Sequence, residues 1–151
     1  MLMFTIFRIC ANYQANLLGV VTSFRPPAKS RGKDFFCSLE LVDETEKQIK
    51  CVIFGSESTL PQQCPVGSVV CFKKVSIEDY HGSVQLSAHS KLSYWAILEE
   101  KRDGSINVSA ANNDSLVTLS DTEKQRARVL KEWVEQTNLV PGGWVWSFGE
   151  N

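Results

Sequence analysis

A chain of 151 residues, 43% hydrophobic and 22% charged, is long enough to bury one core, so a single domain with terminal extensions is expected. Its formal net charge of -1 excludes a global basic field of the kind that draws proteins to duplex nucleic acid, so any polyanion site must be local. Five cysteines without a C-x-x-C pair lack metal-ligand spacing and argue against a disulfide framework, which leaves reduced, intracellular thiols as the expected state.

The opening MLMFTIFRIC is apolar, but it lacks a basic leading region and is too short to span a bilayer. Residues 1–14 therefore read as a structural extension rather than an export signal. Clusters of apolar and β-branched residues then predict strands at Leu17–Phe24, Phe35–Val42, Gln48–Phe54, Val69–Ile77 and Ser83–Ala88. In the second, Phe35, Cys37, Leu39 and Leu41 share one face while Phe36, Ser38 and Glu40 share the other. In the third, Ile49, Cys51 and Ile53 alternate with Lys50, Val52 and Phe54. One face of this hairpin is wholly apolar and should line a core; the other is mixed and can meet solvent or ligand. Cys37, Cys51 and Cys71 fall inside apolar strands, where a thiol packs as a small hydrophobe.

The loop between the first two strands carries Arg25, Lys29, Arg31 and Lys33. Pro26 and Pro27 fix their own torsions and remove two donors, and Gly32 frees one position for a turn, so the cations project from a stiff support suited to a polyanion. Asp43-Glu44-Thr45-Glu46 is a polar turn. Ser56–Leu60 predicts a short helical cap ended by Pro61, Pro65-Val66-Gly67 turns the chain into the fourth strand, and Asp79–Gly82 forms a second exposed loop. Leu92–Leu98 either continues the last strand or packs across the sheet. Glu99–Asn113, with a tight turn at Asp103-Gly104, reads as a surface hairpin or a mobile loop.

Ser120 with Glu123 three residues on is a capping box that opens a helix. Along it Val129, Leu130, Trp133 and Val134 recur at helical spacing against charged Lys124, Arg128, Lys131 and Glu135, so the apolar side should dock on the sheet. Residues 139–151 form a tail containing Trp144, Trp146 and Phe148 without periodicity; these pack back on the domain, meet a partner or belong to an alternative end. No P-loop, nucleophile elbow, zincin or dinucleotide fingerprint occurs, and His81 and His89 suggest no triad. Neither catalysis, nor a metal, nor a cofactor is expected.

The run VVTSFRPPAKSRGKDFFCSLELVDET resembles the first oligonucleotide-binding (OB) domain of the protection-of-telomeres proteins, relatives of the ciliate telomere end-binding proteins. Its specific elements are Gly19 to Val21, the Pro26-Pro27 pair, the Ser30-Arg31-Gly32-Lys33-Asp34 turn and the Val42-Asp43-Glu44-Thr45 corner. The resemblance continues through Cys51-Val52-Ile53-Phe54, Pro65 to Phe72 and Tyr80, and more weakly to about Trp133. It implies an all-β fold with a C-terminal helix, namely an OB-fold, five-stranded Greek-key barrel over residues 15–138, with Phe4, Ile6 and Ile9 covering an open end. Such a barrel offers ligand its second and third strands and the loops joining strands one to two and four to five. Those loops are the basic loop and the Tyr80 loop.

The ligand implied by the resemblance is G-rich single-stranded telomeric DNA, bound and shielded at chromosome ends in the nucleus, with other telomere-complex proteins as partners and no membrane. Stacking, worth about 1–3 kcal/mol per base, is expected of Phe54 and Tyr80; for Phe54 the alternative is that it covers the barrel edge. Arg25, Arg31, Lys33 and Lys50 would meet phosphates or stack on bases. Asp34 either reads the donors of guanine, since the Lys33-Asp34 pair matches base-reading positions of the family, or pairs with Arg31 or Lys33. His81 and Gln85 complete the candidates as base hydrogen-bonding groups. Where the family stacks a base from its first strand this chain has Ser23, and the aromatic that often follows the proline pair is Ala28. Phe24 substitutes only if a bulge turns it outward. Those absences and the near-neutral charge favour the alternative function, an OB-fold protein-interaction scaffold in a telomere complex with weak or lost DNA binding. Relatives commonly carry two tandem OB domains; if a single barrel is the complete protein, a partner or second copy is expected to add affinity through effective concentration.

Overall fold

A computed structural model describes residues 3–4, 13–112 and 118–137. In chain order these form β1 (Met3–Phe4), β2 (Tyr13–Lys29), β3 (Phe35–Val42), β4 (Gln48–Gly55), a short 3-10 turn (Glu57–Thr59), β5 (Val69–Tyr80), β6 (Ser83–His89), β7 (Tyr94–Glu100), β8 (Ile106–Ala111) and α1 (Asp121–Thr137). The strands follow the order β1-β2-β3-β4-β6-β5-β7-β8, and β2 also pairs with β5. That extra pairing closes β2, β3, β4, β6 and β5 into a ring, parallel only between β4 and β6. The ring is the expected OB barrel. Its β2 runs beyond both predicted ends because one strand must reach two neighbours, β5 with its first half and β3 with its second.

Both sides of the β2–β5 wall are apolar, as in strands buried on two faces. Leu17, Val21, Val70 and Phe72 point into the barrel with Leu39, Leu41, Ile53 and Leu86. Leu18, Val20, Val69 and Cys71 point outward into a second core with Ala96, Leu98 and Ile106, closed over by Ala127, Leu130 and Val134 of α1. The helix thus docks on the barrel wall. Val129, expected on the docking side, is 39% exposed, and Ala127 takes its place. The 100° step between helical residues puts 127, 130 and 134 in one stripe and swings 129 off it.

Two polar clamps hold α1. The capping box forms, with the Glu123 amide donating to Ser120 Oγ (3.1 Å) and the Ser120 amide to Glu123 Oε1 (2.9 Å). Glu123 also meets Lys73 Nζ at 3.1 Å. At the β3–β4 corner Asp43 is fully buried. Its Oδ1 accepts from the Thr45 amide and hydroxyl, and its Oδ2 faces Arg126 Nη2 at 3.5 Å. Arg126 also pairs with Glu44, which ties the corner to the helix.

The segment from Leu92 resolves into β7, which pairs with β5, not a continuation of β6. Of the two readings of Glu99–Asn113 the hairpin is observed: β8 returns along β7 through a turn with Gly104 at φ 85°. Ser56 adopts the cap position before the 3-10 turn without a side-chain cap bond. For the expected cover by Phe4, Ile6 and Ile9, only the backbone pairing of Met3–Phe4 with Asn16 and Leu17 is described. The rest of that cover and the tail 139–151 lie outside the described residues.

Arg126→Ala should lower the unfolding free energy by about 3 kcal/mol, because it strips the cation from a buried carboxylate; urea denaturation checks this. Arg126 holds the Glu44 carboxyl below its ordinary range, so the folded state binds that proton less readily than the unfolded chain. The resulting stabilisation is present above about pH 4.5 and fades as pH falls through the lowered folded value. Glu44→Gln should therefore flatten the acid limb of the stability curve. Burial also pushes the thiols of Cys37, Cys64 and Cys71 up to about 12. In a Cys10→Ser background native protein should resist DTNB at pH 8 and react only on unfolding. Its stability should hold below pH 9 and decline above it, where the unfolded thiols ionise first.

Candidate nucleic-acid interface

The strand register arranges the outer face of the barrel into rows that run across the strands. Paired residues share a face and alternate residues along each strand point the same way, so each row lies about 7 Å from the next. One row is His89, Phe54, Phe36 and Ala28, from β6, β4, β3 and β2. The next is Ser76, Ser87, Val52, Ser38 and Arg25. The third is Glu78, Gln85, Lys50, Glu40 and Ser23. Aromatics therefore occupy one end of the face, small polar groups the middle, and mixed charge the other end.

Phe36 and Phe54 are both half-buried, with ring centroids 6.3 Å apart and planes tilted by 35°. Beside Phe54 a concavity of about 180 Å³ is walled by Lys74, Ser87, His89 and Leu92, the last 74% exposed. A larger one, about 360 Å³, lies between the Pro65–Ser68 turn and the end of α1 and is lined by Glu100 and Glu135. Those two carboxylates outnumber the one cation in its lining, Lys131, which makes it a poor setting for a polyanion.

The basic loop abuts the aromatic row and is held by its own side chains. Ser30 Oγ accepts from the Gly32 amide, the Ser30 amide donates to the Asp34 carbonyl, and Lys29 Nζ donates to the carbonyls of Gly32 and Lys33 at 3.0 Å each. Lys29 also sits 5.3 Å from the Phe35 ring. It is thus spent on the loop, whose Arg31 and Lys33 remain exposed; Arg25, expected in the loop, instead lies in β2 opposite Ser38, because the strand runs on to Lys29, and it too is exposed. Neither Arg31 nor Lys33 pairs with Asp34: Asp34 Oδ2 instead meets His89 Nε2 at 3.1 Å, across from β6.

At the opposite end of the face the β5–β6 hairpin turns through His81 (φ 52°) and Gly82 (φ 82°), with the Gly82 amide donating to Asp79 Oδ1. His81 is exposed there. The Tyr80 side chain lies outside the described residues. Lys50 and Gln85 are register partners in the third row, on the same face as Phe54.

Phe24 does not join this face. A bulge at Thr22, between the pairs Val21–Leu41 and Ser23–Glu40, does shift the register, but it sends Ser23 outward and turns Phe24 inward opposite Leu39, against the barrel core. Among the described side chains the first strand of the barrel accordingly contributes no outward aromatic: Ser23 and Ala28 occupy the two positions. Two residues of the face were missed as candidates. Phe36 was legible from the alternation in its strand. His89 was not, because its partner Asp34 is far away in sequence and only ring closure brings them together.

A closed ring of five strands whose second and third members carry an open face, flanked by the loops between strands one and two and between four and five, defines an OB-fold protein. Residues 10–141 match the family model described as "Telomeric single stranded DNA binding POT1/CDC13". The chain belongs to that family. Protection of telomeres protein 1 of Gallus gallus is 28% identical over 128 residues, covering 84% of this chain and 16% of that protein. The chain thus spans less than a fifth of that relative. Among solved structures, the crystal structure of a Pot1 (protection of telomere)-ssDNA complex superposes with TM-score 0.67 at 22% identity, covering 87% of this chain and 82% of that one. A replication protein A heterotrimer bound to ssDNA gives 0.60 at 20% identity, covering 88% and 28%. Both carry the same fold.

Because Phe24 packs inward and is half-buried, Phe24→Ala should cost about 2 kcal/mol of stability while leaving the outer face unchanged. Thermal melts, and heteronuclear NMR shifts of Phe36 and Phe54 that stay in place, check both halves.

Proposed function

We propose that this chain binds G-rich single-stranded telomeric DNA across the β3–β4–β6 face and shields it, as a noncatalytic OB module over residues 15–138 acting at chromosome ends in the nucleus. The observation that carries this reading is the Phe36–Phe54 pair, open on the face, adjacent to a rigid loop presenting Arg31 and Lys33 and to Arg25 on β2. Stacked bases lie on the aromatic row, and Arg25, Arg31 and Lys33 take the phosphates. The strand crosses the β-strands along the aromatic and small-polar rows, since Glu40 and Glu78 in the third row repel the backbone. Asp34 and Gln85 read base edges, with Lys50 and the Tyr80–His81 turn bordering the path. Other telomere-complex proteins are the partners that this module would act beside.

One observation favours a second reading. Ser23 and Ala28 stand where the first strand would supply aromatics, and two carboxylates share the face; a barrel so depleted serves as a protein-interaction scaffold.

Fluorescence anisotropy with labelled G-rich telomeric DNA, its C-rich complement, a scrambled strand and the matching RNA, across a salt series, separates the two. The expected result is saturable preference for the G-rich DNA, with Phe54→Ala and Phe36→Ala each costing about 1–3 kcal/mol. Three phosphate contacts give a logarithmic salt slope of about -2. Equal weak binding to all four strands, lost in modest salt, would overturn the DNA reading and leave the scaffold.

A further inference from the structure

Asp34 is anchored twice. Its carbonyl accepts from the Ser30 amide at 3.1 Å, inside the basic loop, and its carboxylate Oδ2 meets His89 Nε2 at 3.1 Å on β6. The direction of the second bond follows from a third. The Lys91 amide donates to His89 Nδ1 at 3.2 Å, so Nδ1 holds a lone pair and the ring proton sits on Nε2, aimed at the carboxylate. A carboxylate offers about four lone-pair sites over its two oxygens. His89 takes one, and Asp34, with its side chain 35% exposed, keeps both oxygens capable of accepting. His89 is also the register partner of Phe54, so the group that holds the acid is one cross-strand step from the stacking platform.

We infer that His89 is a positioning residue for base recognition: it fixes the plane of the Asp34 carboxylate so that the remaining lone pairs meet two adjacent N–H donors, the N1 and N2 edge of guanine. Without that bond the carboxylate rotates freely about its own side chain. A paired N–H edge then gains no advantage over a single one. The inference rests on the DNA-binding reading above and assigns the source of its base preference.

The test is anisotropy with the G-rich strand and with versions carrying inosine, which lacks the N2 amino group, at one guanine position at a time. The wild-type chain should lose about tenfold in affinity at one position, the loss expected when a charge-assisted hydrogen bond is removed. His89→Ala should reduce that penalty to less than about twofold, the ratio of the guanine to the inosine strand being the readout whatever the change in overall affinity. His89→Gln, which keeps an N–H donor, should restore the penalty. Asp34→Ala should abolish it, and adding His89→Ala to Asp34→Ala should not bring the penalty back or change it further. An intact penalty in His89→Ala, with the penalty lost in Asp34→Ala, overturns the inference but leaves Asp34 as the reader. An intact penalty in Asp34→Ala overturns both. Equal weakening of every strand by both His89 variants marks a purely structural histidine and also overturns it.

Discussion

The structure depends on one irregularity, the bulge where β5 changes neighbours. Up to Lys73 this strand pairs with β7, and from Ser76 onward it pairs with β6, while β2 follows it on the other side from Val69 to Ile77. Between these stretches Lys74 adopts φ 58°, a left-handed conformation that costs a non-glycine residue about 1 kcal/mol. The backbone groups freed there are satisfied from both sides: the Lys74 amide donates to Asn16 Oδ1 at 3.0 Å, and Ser93 Oγ donates to the Lys74 carbonyl at 2.9 Å. The extra residue reverses the alternation of the strand. Val70 and Phe72 before it, and Val75 and Ile77 after it, all face the barrel interior. Without the bulge the second pair would point to solvent and the ring would not close.

Closure then divides the labour of the surfaces. The wall formed by β2, β5 and β7 has its outer side sealed by α1, through an apolar stripe and the clamps from Lys73 and Arg126. The wall formed by β3, β4 and β6 keeps its outer side open. The helix is thus placed where it cannot obstruct the face, and the buried Asp43 at the β3–β4 corner links the two walls. Gly19 belongs to the same economy of space: a Cβ there would lie 3.0 Å from Leu41 Cβ, so a side chain would press on Leu41 and require it to shift.

The open face is built from contacts at two ranges. The basic loop is local, with Ser30 and Lys29 bonding to residues within a few positions of themselves, so its rigidity belongs to its own sequence. The face it borders is not local. Phe36, Phe54 and His89 come from three strands, and the parallel β4–β6 pairing that sets Phe54 beside His89 exists only once the ring is closed. A preformed face of this kind lowers the ordering cost of binding.

How much of this was legible in the chain depends on the range of the interaction. Alternation in Phe35–Val42 and Gln48–Phe54, the Ser120–Glu123 box and the proline-glycine chemistry of the loop are short-range signals, and from them the strands, the helix start and the mixed face followed directly. Even Phe36 could be placed on that face by parity alone. Phe24 could not, because parity fails at a bulge, and the bulge at Thr22 is decided by how β2 must register against β3 while also pairing with β5. The direction of Val129 depended on the packing of α1, and the partner of Asp34 on ring closure. Sequence by itself determined which residues alternate, cap and turn, since those follow from bonds between near neighbours. The tertiary structure alone decided register, bulges and the meeting of Asp34 with His89, because each reflects a compromise among several strands that no single stretch of chain encodes.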